Sequence, residues 1–450
     1  MSTIIAQPRY SCALAAQQSV LAIPKGIPIV HAGPGCSQKA YAFASTGAGF
    51  QGEGYAGGNS VPSTNASEQE VVFGGEGVLH KEIEAALKIM KGDLFVTLSG
   101  CTSDIVGDDT IQVAKNFARE GYPVVGVETA GFKGSSYYGH EAVVNGIIEQ
   151  YVGNVEPKIK KGLVNVFSVV PGQDPFWRGD LEQIKKLLEK IGLEVNILFG
   201  YLSKGVQEWK NIPHAEFNLL ISPWVGLSSV QLLEQKYHTP YLHYKGIPVG
   251  AKQSGDFLRL VGEFAGIEKT LVESVIKQEE ARYYEYFLGL ADFILAFRNN
   301  LPHQLYTVGD STYALSVSEF LVKEAGFLPE GVYLIDHPGA ETQKGLKDEI
   351  HVKFAGFEDN FIFENDGELI YNDIVKRIGD SNKALILGSD WERDLAQETK
   401  NLFTFLSLPI HRQIVVSRSY VGYDGALQLL EEIYSLPFRQ GEFTSNTQRE

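Results

Sequence analysis

Two short apolar runs near the amino end, GIPIVHAGPGC (26–36) and DLFVTLSGC (93–101), read as buried strands that stop at glycine-containing turns. Each delivers a cysteine at its C-terminal end. After the second run, TSDIVGDDTIQVAKNFARE has helical spacing and an acidic first turn, which predicts a helix with Cys101 near its N-terminus, where a thiolate is electrostatically favoured. Farther along, LVNVFSVVPG (163–172), DLEQIKKLLEKIGL (180–193) and EVNILFG (194–200) predict strand, helix and strand, with a crossover of the length that parallel pairing needs. FNLLISPW (217–224) and TPYLHYKGIPVG (239–250) add strands. Residues 266–300 are rich in helix formers and end at Asn299, Asn300 and Pro302, as a helical connector would. LYTVGD (305–310), the helix-like STYALSVSEFLVKEAG, GVYLID (331–336) and KALILGSD (383–390) form a third βαβ series.

This rhythm predicts an α/β protein of three doubly wound Rossmann-like domains with parallel sheets. Residues 1–162 form an N-terminal cysteine domain, 163–302 a second α/β domain with the connector, and 303–450 a third α/β domain with the C-terminal segment. A chain of 450 residues exceeds one compact core and fits two or three. With 44% hydrophobic and 21% charged residues, it is expected to fold throughout. Only GYAGGNSVPSTN (54–65) approaches low complexity, and it reads as a surface loop.

Charge and termini narrow the function classes. The formal charge is −16, from 55 acidic and 39 basic residues without a block of like sign, so a phosphate backbone would be repelled and nucleic acid is not an expected partner. MSTIIAQPRY has no basic region followed by a long apolar stretch, and no run reaches the roughly 18 apolar residues of a membrane span, which predicts a cytoplasmic protein with no membrane partner.

The three cysteines, Cys12, Cys36 and Cys101, are an odd number in a chain without a secretion signal, which argues against a disulfide framework. All lie within the first 101 residues. Cys36 and Cys101 each follow a glycine, whose bare backbone admits a bulky inorganic group and whose neighbouring amides can donate to sulfide. Strand C-termini are also where α/β sheets place ligands. Soft thiolates suit iron. Separations of 24 residues from Cys12 to Cys36 and 65 from Cys36 to Cys101 match no compact CxxC spacing, and three thiolates are one short of a four-ligand cage. Missing ligands would then come from another chain. The competing reading is three unrelated buried thiols.

Other motifs point elsewhere. GDS at 309–311 lacks a G-x-S-x-G elbow and reads as a helix N-cap. GGEG at 74–77 lacks the lysine of a phosphate loop. His31 is either a hydrogen-bond donor beside the cysteine site or a satisfied core histidine. Asp108 and Asp109 read as helix-turn residues rather than general bases.

GIPIVHAGPGC, VVFGGEGVL (71–79) and LSGCTSDIVGDD together resemble the first domain of nitrogenase component 1 proteins, in that family's order and near its spacing. The resemblance runs to the C-terminus. ISPW (221–224), IPVGAKQSGDFLRLVGEFAG (247–266), the GD and EFLVKEAG of 309–326, and VGYDGALQLLEEI (421–433) look like the β-type (K) subunit. It implies that Cys12, Cys36 and Cys101 are cofactor-binding metal ligands, holding half of an eight-iron, seven-sulfur P-cluster shared with an α-type (D) partner in an α2β2 heterotetramer. Ser222 and Arg412 fall about where α-type chains carry their cofactor ligands, with His411 one place away, so the catalytic cofactor belongs to the partner. One departure is Gly131, in TAGFKGSS (129–136), where molybdenum-enzyme β subunits carry a serine that binds the oxidised cluster; Ser135 and Ser136 are nearby, with turn capping as their expected role.

The function implied is an electron relay from an ATP-dependent iron–sulfur reductase (Fe protein) to the partner's cofactor. The substrate would be dinitrogen or another small reducible compound such as an alkyl thioether. Two other classes stand beside it: a non-turnover scaffold for assembly of a nitrogenase-type cofactor, and a cluster-free α/β binding protein.

Overall fold

The computed structural model of the chain describes residues 10–37, 61–299, 301–379, 381 and 383–446. The expected surface loop at 54–65 lies outside them up to residue 60. In the amino-terminal part, α1 (Ala16–Leu21), β1 (Gly26–His31), α2 (Glu68–Phe73), α3 (Glu76–Ile89), β2 (Leu94–Ser99), α4 (Cys101–Val106), α5 (Thr110–Arg119), β3 (Val124–Glu128) and α6 (Ser136–Ile147) build a sheet of order β1-β2-β3. All pairings are parallel, and β1 and β2 are buried along their whole length, which is why both read as unbroken apolar runs. The single helix expected after Cys101 is two. Gly107, in the left-handed region at φ +90°, ends α4, and the Asp109 carboxylate accepts the Gln112 amide at 2.7 Å to start α5.

The second sheet, of order β5-β4-β6-β7, contains β4 (Lys160–Phe167), β5 (Glu194–Ile197), β6 (Ala215–Ile221) and β7 (Tyr241–Tyr244), with α7 (Trp177–Lys190) crossing from β4 to β5. Its register is marked by a buried asparagine ladder. Asn196 donates to Asn165 at 2.7 Å and Asn165 donates to Asn218 at 2.8 Å, each the cross-strand neighbour of the next. A slip of one residue would turn these amides away from one another and leave them unpaired.

After α8 (Gly250–Phe264) and the long connector helix α9 (Lys269–Leu288), the third sheet has order β10-β9-β8-β11-β12, again all parallel. It uses β8 (Gln304–Gly309), β9 (Leu328–Leu334), β10 (Phe361–Phe363), β11 (Ala384–Gly388) and β12 (Leu402–Phe405), with α10 (Ser311–Lys323) after β8. Asp310 accepts the amides of Thr312 and Tyr313 at 2.9 and 3.2 Å, the N-cap that GDS predicted. The closing helix α11 (Gly422–Asn446) leaves this sheet and packs on α8, anchored where the Gly422 amide donates to the Pro248 carbonyl at 2.7 Å. Among the described residues no helix is long and apolar enough to cross a membrane.

One apolar core runs through all three sheets, including Val30 and Leu98 of the first, Val166 and Leu220 of the second, and Leu305 and Leu385 of the third. Carboxylates are buried where the second and third sheets meet. Asp180 of α7 accepts from the hydroxyls of Tyr313 and Ser419 and from the Tyr420 amide, so one side chain ties α7 to α10 and to the segment leading into α11. Burial pushes the Asp180 carboxyl from 3.8 up to about 6, against the pull of those donors. The folded value lies above the unfolded one. The neutral form therefore contributes stability that is present below pH 3.8 and is lost as pH climbs through about 6. Above that pH the donors must hold a buried charge. Tyr313→Phe removes one of them and is expected to lower the unfolding free energy by about 1–3 kcal/mol at pH 8 and by less at pH 5. Urea titrations at the two pH values check this, and equal losses at both would contradict it.

Candidate metal centre

Each cysteine is held by backbone contacts that favour glycine or small neighbours. Cys12 precedes the turn Ala13–Ala15 that leads into α1, and its backbone pairs with Ser135 in an isolated antiparallel bridge. The Ala13 amide donates to the Gly134 carbonyl at 3.1 Å, and the Ser136 amide to the Ser11 carbonyl at 2.8 Å. A Cβ on Gly139 of α6 would collide with the Ala13 carbonyl, so that glycine lets the Cys12 turn seat directly on the helix. Cys36 follows β1 in a short helical turn, its amide donating to the Gly33 carbonyl at 3.2 Å and its carbonyl accepting Gln17 Nε2 of α1 at 3.1 Å. Cys101 opens α4 and is exposed. Gly100 before it packs so closely on Ala32 that a Cβ there would collide.

Two of the three sulfurs meet at Gly131. Its amide donates to Cys101 Sγ at 3.1 Å. A Cβ built on Gly131 would lie 3.2 Å from Cys12 Cβ, 3.3 Å from Cys101 Sγ and 3.7 Å from Cys12 Sγ, so both sulfurs flank one point that glycine leaves clear. Strand pairing sets the segment that leads to Cys36 beside the start of α4, because His31 of β1 stands opposite Ser99 of β2 and Ala32 packs on Gly100. Among the described residues no three His, Cys, Asp or Glu side chains are close enough to hold one metal ion. Soft sulfurs, an amide aimed at one of them, a cleared cradle and an exposed edge have the chemistry that would fit an iron–sulfur group.

Large apolar side chains are exposed on the elements that carry or border the cysteines. The short helix α2, fixed by a Ser67/Glu70 capping box, presents Val71, Val72 and Phe73, the last 83% exposed. It packs against α4, where Ile105 is 74% exposed, and Phe132 beside Gly131 is exposed as well. Together these side chains form an exposed apolar surface next to the cysteines.

Sequence reasoning left two roles open for His31 and read Asp108 as a helix-turn residue. His31 is fully buried, its Nε2 3.0 Å from Asp108 Oδ2 and its Nδ1 3.1 Å from Thr64 Oγ1. Burial lowers its pKa, against the opposing pull of Asp108, so at neutral pH the ring is neutral. A carboxylate can only accept. Nε2 therefore carries the proton, and Nδ1 accepts from the threonine hydroxyl. Asp108 also accepts the Gly75 amide, at 2.9 Å to Oδ1, while helix capping falls to Asp109. Neither Asp108 nor the Gly131 amide carried a local signal that links it to a cysteine.

The remaining positions are occupied otherwise. Ser222 is buried and its Oγ accepts the Trp224 amide at 3.4 Å. Arg412 pairs with Asp394 at 2.7 Å, and His411 Nδ1 lies 2.7 Å from Asp390. Ser135 sits at the start of α6 without a capping bond from its hydroxyl, and Ser136 Oγ is buried without a hydrogen-bond partner among the described residues, so neither hydroxyl serves the expected turn.

Several known proteins resemble this chain. A polypeptide of the light-independent protochlorophyllide reductase of Bradyrhizobium sp. (strain ORS 278) is 23% identical over 381 residues, 82% of this chain and 69% of its own length. The corresponding protein of Halorhodospira halophila is 23% identical over 359 residues, 78% and 64% of the two chains. A nitrogenase molybdenum-iron protein alpha chain from Methanosarcina barkeri is 29% identical over 233 residues, 50% and 42%. The solved structure of a nitrogenase Cp1 at pH 6.5 shares the fold, with a TM-score of 0.78 over 98% of this chain and 94% of its own at 18% identity. The family described as nitrogenase component 1 type oxidoreductase matches residues 11–436, and the chain belongs to it.

Proposed function

We propose that the chain is a β-type subunit that holds half of an interface P-cluster through Cys12, Cys36 and Cys101. In this reading it relays electrons from an ATP-dependent iron–sulfur reductase to a catalytic cofactor in an α-type partner, within an α2β2 heterotetramer. The observation that carries the proposal is the meeting of the Cys12 and Cys101 sulfurs around Gly131, beside exposed apolar side chains. Thiols aimed at an unfinished edge make sense when a second chain completes the site.

When bound, such a group supplies one-electron storage and transfer. The residues of this chain do the rest. Cys101 offers its sulfur from the exposed start of α4, and the Gly131 amide stabilises negative charge on that sulfur. Gly131 keeps the space between two ligands open. Val72, Phe73 and Ile105 offer a surface that a partner chain would cover, which removes water from the cluster edge and lowers the local dielectric.

The junction of the sheets supports assigning the catalytic cofactor to the partner. Asp174, Asp180, Asp310 and Asp336 are all buried there, and Trp224 Nε1 donates to Asp336 at 2.6 Å. Burial raises the pKa of all four, most strongly at Asp174. Carboxyls held toward their neutral form are poor metal ligands, because a ligating carboxylate must be deprotonated. Ser222 and Arg412 also offer no sulfur or imidazole there. The substrate, dinitrogen or another small reducible compound such as an alkyl thioether, is then chosen by the partner chain. Relatives named as protochlorophyllide reductases fit a family whose reducible substrates vary.

Three measurements test the reading on the chain purified with its partner under anaerobic conditions. Cys101→Ala is expected to abolish cluster absorption and reductant-driven turnover while circular dichroism stays unchanged, because the side chain is exposed. Retention of about eight irons per subunit pair in that variant would remove Cys101 from the ligand set. Gly131→Ala sets a methyl 3.2 Å from Cys12 Cβ and 3.3 Å from Cys101 Sγ, and is expected to weaken iron retention about 10–100-fold in a chelator competition. Unchanged retention would mean that the two sulfurs do not share one group. Phe73→Asp is expected to weaken partner association by at least about tenfold in analytical ultracentrifugation, and unaltered association would move the interface elsewhere.

A further inference from the structure

His31 contacts both ends of the helix that Cys101 begins. Its carbonyl accepts the Gly100 amide at 2.9 Å and the Ser103 hydroxyl at 2.7 Å, at the N-terminal end of α4. Its ring reaches Asp108, just beyond Gly107 at the other end, at 3.0 Å. The same carboxylate receives the Gly75 amide, which ties in the α2–α3 junction and with it the exposed Val71, Val72 and Phe73. A Cβ on Gly75 would stand 2.8 Å from His31 Cε1 and 2.9 Å from Asp108 Oδ2, so a larger residue there would have to displace the pair. Thr64 closes the far side of the ring and also accepts the Ala32 amide at 3.2 Å. A side chain whose only task was to fill core volume would need no such set of partners.

We propose that the His31–Asp108 pair is a positioning device that fixes the Cys101 thiol relative to the apolar α2 ridge, so that partner docking and cluster ligation share one rigid frame. This rests on the reading that Cys101 holds part of an iron–sulfur group. Neither residue is one of the proposed ligands. Both act through α4. A six-residue helix cannot hold its own position by backbone bonds alone, since isolated helices shorter than about 12 residues are marginal in water. External clamps at its two ends supply what length does not.

Side-chain chemistry provides a discriminating test. His31→Gln can reproduce the Nε2 donor toward Asp108, whereas His31→Asn reproduces only the Nδ1 position toward Thr64. Asp108→Ala removes the shared acceptor from the other side. The partner complex of each variant is isolated with its iron, and three properties are measured: release of iron to a chelator, the cluster's reduction potential, and its electron paramagnetic resonance signature. The expectation is that H31Q matches the natural protein in all three, while H31N and D108A release iron about tenfold faster and shift both potential and signature. Equal behaviour of H31N and H31Q, whether both normal or both impaired, would overturn the proposal, because the Asp108 contact would then be irrelevant. D108A decides independently should H31N not assemble, and a normal potential with normal iron release in D108A also overturns it. Absence of iron from the natural complex would instead refute the ligand reading, which keeps the two failures distinct.

Discussion

Parallel pairing of β1 with β2, in register from Gly26 opposite Leu94 to His31 opposite Ser99, is the constraint on which the cysteine site depends. It stops both strands at the same level, so the segments that follow, one carrying Cys36 and the other Cys101, emerge side by side. Ala32 and Gly100 then touch, and the His31 carbonyl receives the Gly100 amide. A slip of one strand by one residue would exchange the faces of that strand and part these segments. Because β1 and β2 are buried on both faces, such a shift is opposed along their whole length.

Around that frame, proximity is obtained by omitting side chains. Gly100, Gly131, Gly139 and Gly75 each stand where a Cβ would strike another part of the site. Their bare backbones bring the Cys12 turn, the Cys101 helix and the His31–Asp108 pair within contact of one another. The conformational entropy this costs on folding is offset by the continuous core that joins the three sheets. A site built from close backbone approach has little freedom to rearrange.

The chain divides its polar groups by task. Near the cysteines they are few and matched: a neutral imidazole with a carboxylate, an amide with a sulfur. At the junction of the sheets they are carboxylates packed among aromatic residues, such as Asp180 with Tyr313 and Asp336 with Trp224. That junction ties helices from different sheets together and holds its carboxyls toward their neutral forms. The edge that carries Cys101 is instead apolar and open.

Local patterns along the chain sufficed for the α/β class, the parallel strands, the Asp310 cap and the delivery of Cys36 and Cys101 at strand ends. All of these follow from apolar periodicity and from glycine in turns, which are properties of short windows. Long-range contacts were invisible in those windows. The Gly131 amide meets a sulfur 30 residues away, His31 meets Asp108 across 77, and Tyr313 meets Asp180 across 133. The break of the helix at Gly107 and the return of α11 to α8 are further features that the apolar pattern does not show. The first is a local effect of a left-handed glycine and the Asp109 cap, whereas the second depends on packing partners distant in the chain. Hydrophobic spacing dictates which elements form, while the choice of residues that meet rests on steric fit between elements distant in the chain.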